Sequence, residues 1–534
     1  MEGEGMARTP LLTEVQRLAA QFDRRVSRRE FIKVGGAAVG AAAVTGPIAA
    51  FAATPPRIAI IGGGIAGLNA ALTLQDAGIA SMVYEASSRV GGRMHSDITT
   101  WENHQTSEHC GELIDSGHKT ILKLANRFNL PTVDLLAAEP NQSSETYYFL
   151  GQYYPRSQAI TDFKPVYSAV HKDMSAAGYP TTYKIHTDAG VALDQMSVYE
   201  WIESRVPGGH TSPMGQLLDV AYNIEYGNVS SVQSSLNLIY LLAFQPVPGN
   251  FRIFGGSDER YHILGGNERL PKAMAASLPP SSIKLNTALT AIAMNADGSY
   301  NLSFSSPTGP LSVTFDRVIL ALPFSVLRTL NYGKANFDSR KVTAITELGY
   351  GANAKLQLQF DTRYWNDSAG PWVPNAGIST GLTYADTGYQ NTWDVTRGQD
   401  GATGILVDYT GGGVPLASFN GQPTATDAVR YGRTFLKHIE PVFPGITAHW
   451  NGRATLDTPL TNPFLLGSYS YWKVGQYVKF SGYEKARQPF PNGKCHFAGE
   501  HCSQDFQGYM EGGASEGARA AGEILADYKV GVFP

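Results

Sequence analysis

Cysteine is scarce in this chain: Cys110, Cys495 and Cys502 are the only three among 534 residues, too few and too scattered for a disulfide framework or a metal cluster. Cys495 and Cys502 could pair if the chain is exported. An excess of charge of one sign is also lacking. Forty-two Lys and Arg against 46 Asp and Glu leave a net charge of −4, which gives no electrostatic footprint for nucleic acid. Outside the N-terminal region no apolar run reaches about 18 residues, so a membrane-spanning protein is disfavoured. Internal repeats and long low-complexity linkers are missing as well. What is present is an ordinary globular composition, 43% hydrophobic and 16% charged, with 57 glycines that imply many turns and close backbone approaches. At about 100–200 residues per domain, the length predicts two or three units.

Residues 27–33 read Ser27-Arg28-Arg29-Glu30-Phe31-Ile32-Lys33 and precede a Gly/Ala-rich apolar stretch from Val34 to Phe51. Ala50-Phe51-Ala52 then offers the small-x-small pattern of a signal peptidase site. The order resembles a twin-arginine export signal. Ala and Gly in place of Leu favour a cleaved signal over an anchoring helix. Residues 1–53 are therefore read as an address, and the mature chain is expected in the periplasm or outside the cell.

Arg57-Ile58-Ala59-Ile60-Ile61 is a short apolar run that reads as a buried parallel strand. Gly62-Gly63-Gly64-Ile65-Ala66-Gly67 follows, and Leu68 to Leu74 continues with helical spacing. Gly62 permits a tight turn, Gly64 lets the backbone approach a pyrophosphate, and Gly67 allows close packing of helix on strand. The helix start offers unpaired N–H groups and a positive dipole end to phosphates. Gly78 ends this helix, and Ser81 to Glu85 forms a second strand. Glu85 stands where an acid receives the ribose hydroxyls, and an acid there disfavours NADP. Strand, turn, helix and acid in this order make a dinucleotide site.

Arg89-Val90-Gly91-Gly92-Arg93 comes just beyond and sets two fixed cations beside glycines that admit a cofactor. Near the other end, a strand from His496 to Ala498 runs into Gly499-Glu500, and Gly508-Tyr509-Met510-Glu511-Gly512 opens a helix. Both segments resemble the flavin amine oxidase family, of monoamine oxidase and L-amino-acid oxidase type. The resemblance implies FAD as cofactor, with Arg89, Gly92 and Arg93 along its pyrophosphate and Glu500 on the ribityl chain. It also implies backbone near Tyr509 and Met510 at the flavin O2, and a backbone contact from Leu289 to the adenine.

The same resemblance bears on the reacting centre. Alternation from Asn353 to Phe360 predicts a half-buried strand with Lys355 and Gln357 on its polar face, where a lysine is ordinarily a solvated charge. The stretch is similar to a family strand whose lysine holds a water against flavin N5. Tyr469 and Tyr509 are implied as two walls of an aromatic cage around the substrate amine. Ser468 occupies the position of the flavin-linked cysteine of mammalian monoamine oxidases, so FAD is expected to be non-covalent. No metal is expected.

The implied activity is oxidative deamination with dioxygen as oxidant. Asn223 to Gly227, Ser257 to Tyr261 and Gly265 to Asn267 look like bacterial secreted amine and L-amino-acid oxidases. They favour oxidation of L-amino acids to 2-oxo acids, with release of ammonia and hydrogen peroxide. Monoamine or polyamine oxidation is the alternative, and a flavin redox protein without oxidase turnover is a further one. One departure counts against the favoured substrate: Leu113, in Cys110-Gly111-Glu112-Leu113-Ile114-Asp115, falls where venom L-amino-acid oxidases carry a carboxylate-binding Arg. Glu112 or Asp115 in the pocket would favour a dicationic amine, whereas the plainer reading makes both structural. The expected partners are a small amino acid or amine and dioxygen, with neither nucleic acid nor, for the mature chain, a membrane; a homodimer stays open.

The resemblance implies an α/β fold, a Rossmann-like FAD-binding domain interleaved with an α+β substrate-binding domain. Residues 54–115, 255–335 and 455–534 are assigned to the first. Residues 116–254, largely helical, and 336–454, a mixed sheet, are assigned to the second.

Overall fold

A computed structural model describes residues 56–529 apart from 246–248, 250, 414–418 and 420–422. The expected export signal lies outside the described residues. Ile58–Ile61 forms a strand with all four residues buried, as an unbroken apolar run requires when both faces of a sheet are covered. It pairs in parallel with Met82–Tyr84 on one side and Arg317–Leu320 on the other. Ile283–Lys284 and Cys495–Phe497 complete a five-stranded parallel sheet whose order is 495–497, 317–320, 58–61, 82–84, 283–284. Strands from both ends of the chain thus lie two places apart, which brings Glu500 toward the Gly62 turn.

Helix Ile65–Asp76 follows that turn and packs against the C-terminal helix Met510–Lys529. The glycines of the latter explain the close approach. A Cβ at Gly517 would stand 2.1 Å from the Ala66 carbonyl oxygen, and one at Gly513 would stand 2.9 Å from Ile65.

A second, seven-stranded sheet is mostly antiparallel, in the order 450–457, 354–360, 404–410, 391–394, 379–385, 144–149, 152–153. The Ser144–Phe149 and Gln152–Tyr153 hairpin interrupts residues 116–254, whose described elements are otherwise mostly helical. Its alternating Thr146, Tyr147, Tyr148 and Phe149 are strand formers placed between helices Lys119–Arg127 and Arg156–Ala177.

Strand Ala354–Phe360 is buried at every position, not half-buried. One face packs toward helix Ala425–Ile439. The other is covered by the segment around residues 102–112, where Gln357 Nε2 donates to the Glu108 carbonyl and Gln359 Nε2 to the Gln105 side chain. The polar face is satisfied by protein instead of water, which is what burial of such side chains demands. Cys110, Cys495 and Cys502 are all free thiols, so the pairing considered for the last two is not formed.

Candidate active site

The C-terminal ends of the parallel strands open into one cavity of about 1090 Å3 that continues to the mixed sheet. Every expected site residue except Gly67 lines it. Gly67 is packed away: its Cβ would stand 1.9 Å from the Gly62 carbonyl oxygen. Gly62 has φ +109°, and a Cβ there would meet Ala321 O at 2.5 Å. Gly64, between them, faces open space, with nothing within 4 Å of where its Cβ would be. The turn is therefore locked on its protein side and bare on its cavity side. No acid sits in the first turn of the helix that Gly64 caps, so its N–H groups and dipole end are left uncompensated for an anion.

Glu85 accepts from the Gly63 N–H at 2.7 Å and from the Ser87 N–H and hydroxyl at 2.8 and 2.7 Å. Its carboxylate is held at the cavity wall on the turn that it stabilises. Arg89 folds back on its own loop and donates to the Val90 and Gly92 carbonyls. Arg93 donates to Glu500 and to the Ser468 carbonyl, both at 2.9 Å. Burial opposes the Glu500 charge, but Arg93, His501 and Ser470 outweigh it and hold the carboxyl below its ordinary range. Leu289 lies in strand Ala288–Met294, and Met510 begins the C-terminal helix. A bare glycine turn at a helix start, a fixed acid and a cavity just above the roughly 300–1,000 Å3 usual for ligand sites fit a dinucleotide.

At the inner end, Lys355 Nζ donates to Glu112 Oε2 at 2.7 Å and to the Glu108 carbonyl at 3.3 Å, above the Trp393 ring at 5.3 Å. Glu112 also accepts from the Trp393 indole at 2.8 Å. Burial works against the Glu112 charge, yet Lys355 and Trp393 keep it below the ordinary carboxylate range. Glu112 thus lines the cavity as half of an ion pair, while Asp115 accepts from Ser257 and from the Asp258 and Glu259 N–H groups as a loop clamp. Ser468 donates to Asn353 at 2.6 Å. Tyr469 OH is 2.9 Å from Tyr409 OH and donates to the Ile224 carbonyl at 3.0 Å. Tyr509 OH donates to Glu225 at 3.1 Å.

Four cavity residues were given no role from sequence: Glu225 and Glu259, read only within the stretches 223–227 and 257–261, and Tyr409 and Arg397. Burial and the neighbouring Glu259 push Glu225 up to about 8. Burial and Asp115 push Glu259 up to about 8 as well. Glu259 has φ +44°, a left-handed backbone uncommon outside glycine, and no described residue donates a hydrogen bond to its carboxyl. The available signal was the lone acid in Ala221-Tyr222-Asn223-Ile224-Glu225-Tyr226, an otherwise charge-free helix end.

A family model for flavin containing amine oxidoreductase matches residues 65–525. Polyamine oxidase 6 of Oryza sativa subsp. japonica is 24% identical over 485 residues, with 88% of this chain and 90% of the relative covered. An L-amino-acid oxidase of Mus musculus is 23% identical over 497 residues, with 89% and 72% covered. Among solved structures, putrescine oxidase bound to putrescine superposes with a TM-score of 0.72 at 18% identity, over 88% of this chain and 99% of that one. Cyclohexylamine oxidase from Brevibacterium oxydans IH-35A gives 0.74 at 19%, over 89% and 100%. These structures share the fold. The parallel sheet with its glycine turn, the C-terminal Glu500 strand and the span of the family match together make this chain a member of the flavin-containing amine oxidoreductase family.

Proposed function

We propose that the protein is an FAD-dependent oxidase that deaminates a primary amine carrying a second positive charge, such as a diamine or polyamine. The carrying observation is Glu259, a carboxyl without a described donor, held in strained backbone beside the equally raised Glu225 in the substrate end of the cavity. Two acids raised by burial and by their acidic neighbours stay partly protonated, and a dication relieves both penalties.

The bound FAD supplies the hydride acceptor and, with dioxygen, releases hydrogen peroxide. The chain's own residues do the rest. The Gly62–Gly67 turn would hold the pyrophosphate, Glu85 the ribose, and Glu500, fixed by Arg93, the ribityl chain. Tyr469 and Tyr509 present rings to the amine and exclude water; their hydroxyls are engaged elsewhere and burial keeps both phenols neutral. Lys355 has three N–H donors, of which two serve Glu112 and Glu108, leaving one for a water at the reacting face. Ser468 cannot form a thioether, so FAD is held without a covalent bond. Export through the Arg28-Arg29 signal belongs to the same proposal.

An L-amino acid is the second reading. Arg397 lines the cavity with a side chain 9% exposed, and its Nη1 is 2.8 Å from Glu139. A substrate carboxylate exchanging with Glu139 would gain the arginine that position 113 does not provide.

A peroxide-coupled screen of putrescine, cadaverine, spermidine, butylamine and the L- and D-amino acids tests this. The proposal expects the highest kcat/KM with the dicationic amines. Turnover of neutral L-amino acids but not diamines would install the second reading, and silence with every compound would defeat oxidase function.

A further inference from the structure

Behind the tyrosine wall lies a second, smaller cavity of about 130 Å3. It shares Glu225, Tyr226, Gln507 and Tyr509 with the main one, so the Tyr509–Glu225 hydrogen bond is part of the partition between them. Five of its other eleven lining residues are aromatic, and three of their ring pairs stand nearly perpendicular. Tyr179 meets Tyr240 at 5.0 Å and 81° and Phe244 at 5.7 Å and 89°, while Tyr240 meets Tyr477 at 5.8 Å and 79°.

The phenol and indole hydrogens of this wall are already engaged, while the buried Gln507 Nε2 has no partner among the described residues. Tyr240 OH donates to the Gly178 carbonyl and accepts from the Thr181 hydroxyl, Tyr477 OH donates to Asn237, and Tyr179 OH donates to Asp505. The Trp472 indole donates to Glu484. What the wall leaves for an occupant is ring surface, the Gln507 amide and two carboxyls, Glu225 at the inner end and exposed Asp505 at the outer. Such a chamber offers a small cation π-faces together with the Asp505 charge, and bound charge in turn favours ionisation of Glu225. At about 30 Å3 per water it holds roughly four waters, or one small alkylammonium ion.

We propose that this side chamber is a binding site for ammonium or a small alkylammonium group, reached from the surface past Asp505 and separated from the reacting amine by the Tyr509–Glu225 contact. It goes beyond the substrate reading above and does not depend on it. The cation has two sources, the ammonia set free by deamination or the far end of a long substrate.

The test uses the FAD-bound enzyme oxidising its best monoamine, with tetramethylammonium as probe and tert-butanol as the neutral control. Tetramethylammonium is expected to inhibit in a mixed pattern, and tert-butanol not at all. Asp505→Asn raises the inhibition constant about tenfold, and Leu241→Trp, which fills the chamber, raises it further, while kcat stays within about twofold in both. Inhibition by ammonium chloride over sodium chloride that responds to the same variants assigns the site to released ammonia. Loss of affinity for long but not short diamines in Leu241→Trp assigns it to the substrate's far end. Purely competitive inhibition indifferent to both variants, or no inhibition, overturns the proposal. Monoamine turnover in the same assay keeps such a failure separate from failure of the oxidase reading.

Discussion

Replacing Lys355 by Met leaves Glu112 as a buried carboxylate with only the Trp393 indole as donor. Breaking a buried pair in this way costs about 3–5 kcal/mol, so the variant should melt well below the parent. Glu112→Gln in the same chain removes the orphaned charge and should return most of that stability. Turnover should stay about 100-fold down in both if, as proposed, Lys355 holds the water at the reacting face. Recovery of kcat with stability would show that Lys355 only holds the fold. Glu259→Gln probes the other charge in the cavity. With both acids raised to about 8, dication binding strengthens as pH climbs through 8, so KM for a diamine should fall over that range. In Glu259→Gln that dependence should flatten and the diamine KM rise about tenfold, with butylamine unaffected. Stability has the matching sign. A folded pKa above the unfolded value of about 4.5 means that the native state holds more protons between pH 4.5 and 8, so stability is lost as pH rises through that window. Glu259→Gln should therefore melt higher than the parent at pH 8, and no higher at pH 4. These acids escaped the sequence because their significance is assembled at long range: Glu225 meets Tyr509 across 284 residues. Glu85 and the glycines, by contrast, act within one turn of chain and were legible.

At the level of elements, the C-terminal helix shows how one residue type serves opposite ends. Gly517 faces Ala66 of the first helix, while a Cβ at Gly522 would meet nothing within 4 Å. Gly517→Ala should destabilise by about 1–3 kcal/mol through overpacking and loosen flavin retention. Gly522→Ala, in the same helix, should stabilise by up to about 1 kcal/mol. Calorimetry and flavin content check both, and equal effects at the two sites would refute the packing account. The strand–turn–helix unit was readable because its apolar run, glycine spacing and helix are contiguous. The full burial of strand Ala354–Phe360 was not, since the cover over Gln357 comes from Glu108, 249 residues away. The hairpin at 144–153 was missed for a related reason: its partner strand Ser379–Ala385 lies far along the chain and gives it a place in the sheet.

For the molecule as a whole, the two arginines ahead of the fold predict an outcome of their own. Arg28→Lys with Arg29→Lys should abolish export and leave active enzyme in the cytoplasm; undiminished periplasmic or extracellular activity would contradict the address. The cavity itself joins the glycine turn near residue 62, Lys355 and the tyrosines at 469 and 509 into one space. Its cofactor end was visible in short motifs, whereas its substrate chemistry depended on which acids fold into it. The measurement that reaches this claim most directly is anaerobic mixing of the FAD-bound enzyme with putrescine, butylamine or L-leucine, followed by admission of oxygen. The account predicts that putrescine bleaches the oxidised flavin band at the lowest concentration and that oxygen then restores the band with one peroxide per flavin. Bleaching by L-leucine alone, or by none of the three, would contradict it.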